Sequence, residues 1–366
     1  MSAVSDTKKA VSSRSIENRF EIFRVMAAIV IALCVTLVLI MLVSKAPGEA
    51  LKEFLLGPVS SIRNFGDVVN LFVPLCFAGL AVSVMFQCNQ FNMGAEGAFL
   101  IGGLGASIVG VRVLVPGDMH LIAAIAFGTL LGTIVCLIPG IFKVKWGANE
   151  VVSSLMINYI LLYLNNYILQ YYLLDPNAGY PATDKLPDTV LLADLSTKPK
   201  VHCGIIIAVI MVILIFLFLY RSKWGYAIRT VGRNEKFASY AGIGVGSTIL
   251  LSQIVGGALA GMGGAVQVLG MYARYSWTAL PGYGFDGIII AILAKNSPLY
   301  VPLAAFFLAY LRIGADIMAR RTDVATEVVS IVQAAIILLV AAKMFLGKMK
   351  HRQIVQNSQR QLQEVR

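Results

Sequence analysis

"FNMGAEGAFLIGGLGASIVGVRVLV", residues 91–115, places an amide, Asn92, and a carboxylate, Glu96, at the head of an apolar run. A run of this length crosses the hydrocarbon of a bilayer as a helix, which takes roughly 17 to 25 residues. Small residues recur at every fourth position, Gly94, Ala98, Gly102, Ala106 and Gly110, and share one helical face along which a second backbone approaches closely. Nine further apolar runs lie at 25–44, 68–87, 120–142, 151–174, 203–220, 246–270, 284–296, 299–318 and 324–347. The run 284–296 is too short to cross alone, so it is tilted, extended by its flanks or re-entrant. With 58% hydrophobic and 13% charged residues, the chain has too little polar surface for a water-soluble globule of its size. The expected fold is an all-α integral membrane protein with about ten transmembrane helices.

Basic short loops stay on the cytoplasmic side. The first run follows Lys8, Lys9, Arg14, Arg19 and Arg24, and its length exceeds a signal-peptide core, so it is expected to be retained. The last run precedes Lys348, Lys350, Arg352, Arg360 and Arg366. Both termini then lie in the cytosol. The expected organisation is a tail at 1–24, a transmembrane domain at 25–347 and a second tail at 348–366. Within the domain, 175–202, with Asp175, Asp184, Asp188 and Asp194, forms an extracellular loop, and 221–245, with Arg221, Lys223, Arg229, Arg233 and Lys236, a cytosolic one. Arg320 and Arg321 fall on the outer side against this scheme.

Several function classes are excluded. No GxxxxGK[ST] occurs, so ATP is not bound by a P-loop. "GYGFDG", 282–287, fits GxGxxG without a preceding strand or βαβ unit and reads as a chance match. His120, His202 and His351 are expected in loops or the tail, and Asp286 has no facing aspartate, so neither a histidine relay nor an aspartyl protease is indicated. The five cysteines show no CxxC pairing, and no metal site is expected. The net charge of +11 sits beside membrane spans, where it suits inner-leaflet lipid rather than nucleic acid.

The seventh run, with Gly257, Gly261 and Ala265 on one stripe, repeats the small-residue device, for helix packing or for sliding as a passage opens. The fifth opens on Asn149 and Glu150 and carries Asn158, Asn165, Asn166 and Gln170. Asn158 lies about 12 Å along the helix from Glu150. Its amide bonds either a neighbouring helix or a polar solute in a wet cavity, whereas Asn165 and Asn166 are expected to join helices. In the loop "YRSKWGYAIRTVGRNEKFASYAGIGVG", Asn234 caps and Gly242 stops a helix of about two turns, with Phe237 and Tyr240 on an apolar knob. That helix rests on lipid headgroups or docks a cytosolic partner.

"FNMGAEGAFLIGG", "NEVVSSLMINYI" and "RTVGRNEKFASYAGI" occur in an order and spacing that resemble the bacterial permeases of ABC importers for nucleosides, simple sugars and branched-chain amino acids. The likeness covers roughly residues 65–345, and the nucleoside permeases of the basic-membrane-lipoprotein systems are the most similar group. It implies a multi-pass protein of the bacterial cytoplasmic membrane that pairs with a second, homologous permease. An ATPase with two nucleotide-binding domains drives it and holds ATP and magnesium, while an extracytoplasmic lipoprotein delivers the solute. This chain is then no enzyme and binds no cofactor. The resemblance makes 234–242, with Arg229 and Arg233, the segment that couples to the ATPase, and the 175–202 loop a contact for the lipoprotein. Ala98 stands where the family commonly has glutamine. In the ten-span scheme Glu96 and Glu150 lie about one turn from the cytosolic ends of their helices. They are expected to serve structure and gating, meeting basic residues of the coupling loop, while Asn92, Asn158, Tyr159 and Gln267 line the path of a nucleoside. A simple sugar such as ribose or galactose, a branched-chain amino acid, or an ion-coupled mechanism are the alternatives.

Overall fold

The computed structural model describes residues 46–324 apart from 114, 115, 117 and 118, with isolated positions at 38, 41, 331 and 334. The runs expected at 25–44 and 324–347, and both tails, therefore lie outside the described residues but for those positions and Val324. The elements are α1 (Pro47–Leu56), α2 (Ile62–Gln87), α3 (Ala95–Arg112), α4 (Met119–Trp146), α5 (Glu150–Tyr172), β1 (Asp194–Thr197), β2 (Lys200–His202), α6 (Gly204–Arg221), α7 (Lys223–Arg233), α8 (Glu235–Tyr240), α9 (Val245–Met271), α10 (Tyr283–Leu293) and α11 (Val301–Arg321). Seven of these, α2 to α6, α9 and α11, are long and apolar enough to cross a membrane. α10, at 11 residues, spans only about 16 Å.

Two compact units divide the chain. One spans Phe54–Ile317, and the other holds the described residues before and after it. In the smaller unit Arg321 pairs with Glu53 at 3.0 Å, which accounts for one of the two arginines at odds with the charge scheme.

In the larger unit, burial sorts the helices into an interior and a rind. The most apolar windows of α2 and α3 are 89% and 83% buried, whereas those of α4, α5 and α6 are only 28%, 22% and 28% buried, although α4 and α6 are more apolar than either and α5 matches α3. Helices that are apolar all round yet open on one side need lipid there.

The interior is drawn together by glycine. An added Cβ at Gly102 of α3 would stand 2.3 Å from the carbonyl oxygen of Gly261 on α9, and one at Gly132 of α4 would stand 2.5 Å from the Cα of Gly261. The seam expected from Gly102, Gly257 and Gly261 is thus present, joined by Gly128 and Gly132 of α4, which sequence reading had not singled out. Gly94 is not part of it, since it precedes α3 and its N–H donates to the Asn92 side chain. Ala98 is fully buried. Another tight approach is at Gly264, where a Cβ would come to 2.1 Å from the carbonyl oxygen of Phe99. Gly264→Ala gains up to about 1 kcal/mol of helix propensity but overpacks against a backbone atom that cannot rotate away, at about 1–3 kcal/mol. A net loss of stability is expected in thermal unfolding of the detergent-solubilised chain. An unchanged midpoint would show that the helices separate there without cost.

The 175–202 segment is folded rather than a plain loop. Thr183, Leu186 and Leu192 donate backbone N–H groups to the carbonyls of Tyr275, Ala273 and Leu269. Asp175 pairs with Arg274, whose guanidinium holds the carboxyl below its ordinary range. The hairpin β1–β2 was not expected from the sequence, and neither was the burial of two histidines. His120 opens α4 and meets Thr189 Oγ1 at 2.9 Å and the Val109 carbonyl at 3.1 Å. His202 accepts from the Gly204 N–H at 3.1 Å, and burial pushes its imidazole down to about 4.

Candidate functional site

Two of the non-helical stretches of the larger unit, 88–94 and 272–282, are held by the polar residues of α5. Between α2 and α3 the chain runs through Phe91, Asn92 and Met93 alongside α5. The N–H of Phe91 donates to the Glu150 carboxylate, that of Met93 to Ser154 Oγ at 3.0 Å, and that of Gly97 to Asn158 Oδ1 at 3.0 Å. Asn158 Nδ2 returns a bond to the Met93 carbonyl at 3.0 Å. Glu150, Ser154 and Asn158 are three rungs of one helical face, spanning about 12 Å. Backbone polar groups away from water need partners, and here side chains about 60 residues away provide them.

The depth of Glu96 must therefore be corrected. α3 starts at Ala95, level with Asn158 rather than with Glu150, so Glu96 sits about 12 Å along α5 from Glu150, roughly one turn deeper than the continuous-helix reading gave it. Neither carboxylate meets the 221–245 loop in this structure. Glu150 pairs with Lys143 of α4 at 3.0 Å, and Asn92 clamps α4 and α9 by donating to the Cys136 carbonyl at 3.1 Å and to Gln253 Oε1 at 2.6 Å.

The second irregular stretch follows α9. Asn165 donates to the Trp277 carbonyl at 2.7 Å and accepts from the Tyr275 hydroxyl at 2.6 Å, while Asn166 donates to the Thr278 carbonyl at 3.1 Å. Trp277 stands 5.7 to 6.3 Å from the rings of Tyr272, Tyr275 and Tyr283, so the stretch is a string of aromatics held by amides. It ends at Gly282, in the left-handed region at φ 83°, where α10 begins. There the Glu96 carboxylate accepts from the N–H groups of Gly282, Gly284 (2.7 Å) and Phe285 (3.2 Å).

"GYGFDG" thus works as a glycine-rich anion cradle without a nucleotide. Gly282 makes the turn, a Cβ at Gly284 would come within 2.3 Å of the Glu96 N, and one at Gly287 within 2.6 Å of the Ala78 carbonyl oxygen. Those are the three uses of glycine in a dinucleotide fingerprint: turn, close approach and helix packing. The anion at the helix N-terminus is the chain's own side chain, where unpaired N–H groups and the helix dipole favour a negative charge. Glu96 also opens α3, so two helix N-termini converge on one buried carboxylate.

One turn into α10, Asp286 is buried and faces Arg312 of α11. The guanidinium Nη2 donates to Oδ1 at 2.6 Å and Nη1 stands 2.5 Å from Oδ2, an ion pair in which one hydrogen bond is aligned and Oδ2 accepts none. Sequence reading looked for an aspartate facing Asp286 and passed over Arg312. The available signal was a cation and an anion, each set within an apolar run.

A model of the family described as "Branched-chain amino acid transport system / permease component" matches residues 64–341. The chain belongs to that permease family. Among relatives, it is 34% identical to the guanosine ABC transporter permease protein NupP of Bacillus subtilis over 80% of this chain and 86% of that one. The glucose ABC transporter permease protein TsgB13 of Haloferax volcanii is 29% identical over 82% of each chain. The nucleoside ABC transporter permease protein NupB of Lactococcus lactis is 28% identical over 81% of this chain and 84% of that one.

The permease is accordingly a multi-pass membrane protein, and its remaining expected site residues fall in three places. Tyr159 is 57% exposed on the rind of α5, apart from the buried network. Gln267 is buried on α9, and its Oε1 has no hydrogen-bond partner among the described residues. In the segment after α6, Asn234 Oδ1 accepts from the Phe237 N–H at 3.0 Å and Gly242 is left-handed at φ 78°, as a cap and a stop require. The permease exposes Phe237 by 60% and Tyr240 by 92% there. Arg233 is exposed, while Arg229 turns inward over the Tyr220 ring at 4.8 Å. The helix α7, capped by Ser222, was not foreseen, because "KWGYAIRTVGR" reads as a basic loop until its apolar face finds the bundle.

Proposed function

We propose that the permease is a membrane subunit of an ATP-driven importer that carries nucleosides across the bacterial cytoplasmic membrane. The observation that carries the cargo is its likeness, over most of its length, to permeases named for guanosine and for nucleosides. The likeness to a glucose permease keeps a hexose as the second reading. A separate ATPase with two nucleotide-binding domains supplies the energy, a second homologous permease completes the membrane part, and an extracytoplasmic binding lipoprotein delivers the solute. Both termini lie in the cytosol and about ten spans cross the membrane, in keeping with the basic residues gathered at 221–236.

In this reading the exposed Phe237 and Tyr240 on α8 are the knob that the ATPase grips, and the broken-helix site around Glu96 is what its stroke rearranges. Non-helical backbone at membrane depth is tolerated where it is buried in protein or lines a cavity. The aromatic string at 272–283 offers stacking surface to a base in passing. Both groups of the Asn158 amide are already bonded within the protein, so a solute meets that residue only after the 91–97 stretch moves.

The test is uptake of labelled guanosine and adenosine by cells with and without the gene, challenged separately with excess glucose, leucine and a protonophore. Loss of nucleoside uptake on deletion, with the three challenges having little effect in wild-type cells, is the expected result. Tyr240→Ala, at a position too exposed to matter for folding, is expected to lower uptake about tenfold or more at equal expression. Nucleoside uptake that survives deletion while glucose uptake falls would transfer the assignment to the hexose.

A further inference from the structure

One end of the larger unit carries a cavity of about 220 Å³ beside the exposed knob of α8. Its walls come from the ends of α2, α6 and α10 and from α7, and Arg229, Arg233 and Lys295 line it without any carboxylate. A Cβ at Gly232 would stand 1.9 Å from the Gln87 carbonyl oxygen, so α7 lies backbone against backbone on the end of α2. Gln87 in turn donates to the Asn296 carbonyl at 2.8 Å, tying α2 to the end of α10. These contacts make the cavity a fixed feature. In its wall the Nε of Arg229 and the Oδ1 of Asn296 are buried with no hydrogen-bond partner among the described residues. A donor and an acceptor left bare in this way cost free energy unless something fills the site.

We propose that this cavity binds the phosphate of one acidic phospholipid headgroup. Arg229, its guanidinium face resting on Tyr220, and the exposed Arg233 give the wall two guanidinium groups suited to phosphate oxygens, and Asn296 Oδ1, left without a donor, suits a headgroup hydroxyl such as the glycerol of phosphatidylglycerol once the headgroup seats against that wall. Two neighbouring features select a lipid over free phosphate. α6, whose last turn supplies Tyr220, exposes Ile213, Leu214 and Leu217, an apolar strip on which acyl chains lie. Trp224 and Tyr226, on the α7 turn beside it, are more than half exposed, as aromatics at a headgroup boundary are. The cavity also sits beside the basic 221–236 segment, the side on which acidic lipid is attracted to clustered cations.

The experiment is native mass spectrometry of the full chain, purified in detergent and titrated with phosphatidylglycerol, phosphatidylcholine or inorganic phosphate. One tightly held phosphatidylglycerol per chain is expected, with phosphatidylcholine held no better than the detergent background. Arg233→Gln, at an exposed position that does not threaten folding, should weaken that binding about fivefold, and Arg229→Gln with Arg233→Gln further. Lys236→Gln, a nearby exposed cation outside the cavity, should change it little. Equal retention of phosphatidylcholine, or a Lys236→Gln effect as large as that of Arg233→Gln, would overturn the site. Displacement of the lipid by millimolar phosphate would overturn the lipid assignment and leave a free-anion pocket.

Discussion

Glu96→Gln, expressed to the wild-type level in the full chain, is expected to lower nucleoside uptake at least about tenfold while membrane insertion is retained. The wild-type carboxylate presents oxygen to three backbone N–H groups, those of Gly282, Gly284 and Phe285. Glutamine keeps one acceptor oxygen and turns an NH₂ toward donors that have no other partner. Charge-assisted bonds are also roughly twice as strong as neutral ones, so the combined loss is on the order of 2–4 kcal/mol. That loss falls on one event, the seating of α10 and the stretch before it against the start of α3. Glu96→Asp keeps the charge but draws it back by one methylene, and an intermediate effect is expected. Proteolysis of the 272–282 stretch in membranes reports the same seating without transport and should accelerate in the order Asp, then Gln. Wild-type uptake by Glu96→Gln at equal expression would show that the cradle is a packing detail rather than part of the moving site.

How much of this was legible in the sequence follows from what each feature consists of. Helix positions were readable because a membrane span is a property of consecutive residues, and the cap at Asn234 was readable because a cap acts within three residues of itself. The capped helix at 235–240 with its knob was found for that reason. The two broken stretches were not, since nothing local makes "FNMG" leave the helix. The cause is the ladder of Glu150, Ser154 and Asn158, three residues whose polarity was noted or passed over without a partner being known. The "GYGFDG" motif shows the same limit from the other side. Its glycines were visible, but the anion that gives them a purpose is a side chain some 190 residues earlier, so the motif looked accidental.

Arg312→Met alone is expected to lower the unfolding temperature of the purified chain by on the order of 10 °C, because it leaves the Asp286 carboxylate buried and uncompensated. Removing one member of such a pair typically costs about 3–5 kcal/mol, whereas replacing both by groups of similar volume is often close to neutral. The double variant Asp286→Asn with Arg312→Met should therefore recover most of the lost stability, to within a few degrees of wild type. If the two single effects simply add, the ion pair is not the source of either. Uptake separates stability from function at the same site. Glu96 and Asp286 place two negative charges on the first turns of α3 and α10, balanced by one guanidinium and by two helix N-termini. The double variant preserves that balance in α10 by neutralising both members of the pair, and Glu96 keeps its own N–H partners. Transport restored along with stability would mean that Asp286 and Arg312 only hold α11 to α10. Stability restored without transport is the expected outcome, because the charge-assisted bond from Arg312 to Asp286 Oδ1 is a directed attraction that neutral groups of similar volume lack, and a short helix that must leave and regain a single seat needs that directionality more than it needs the free energy.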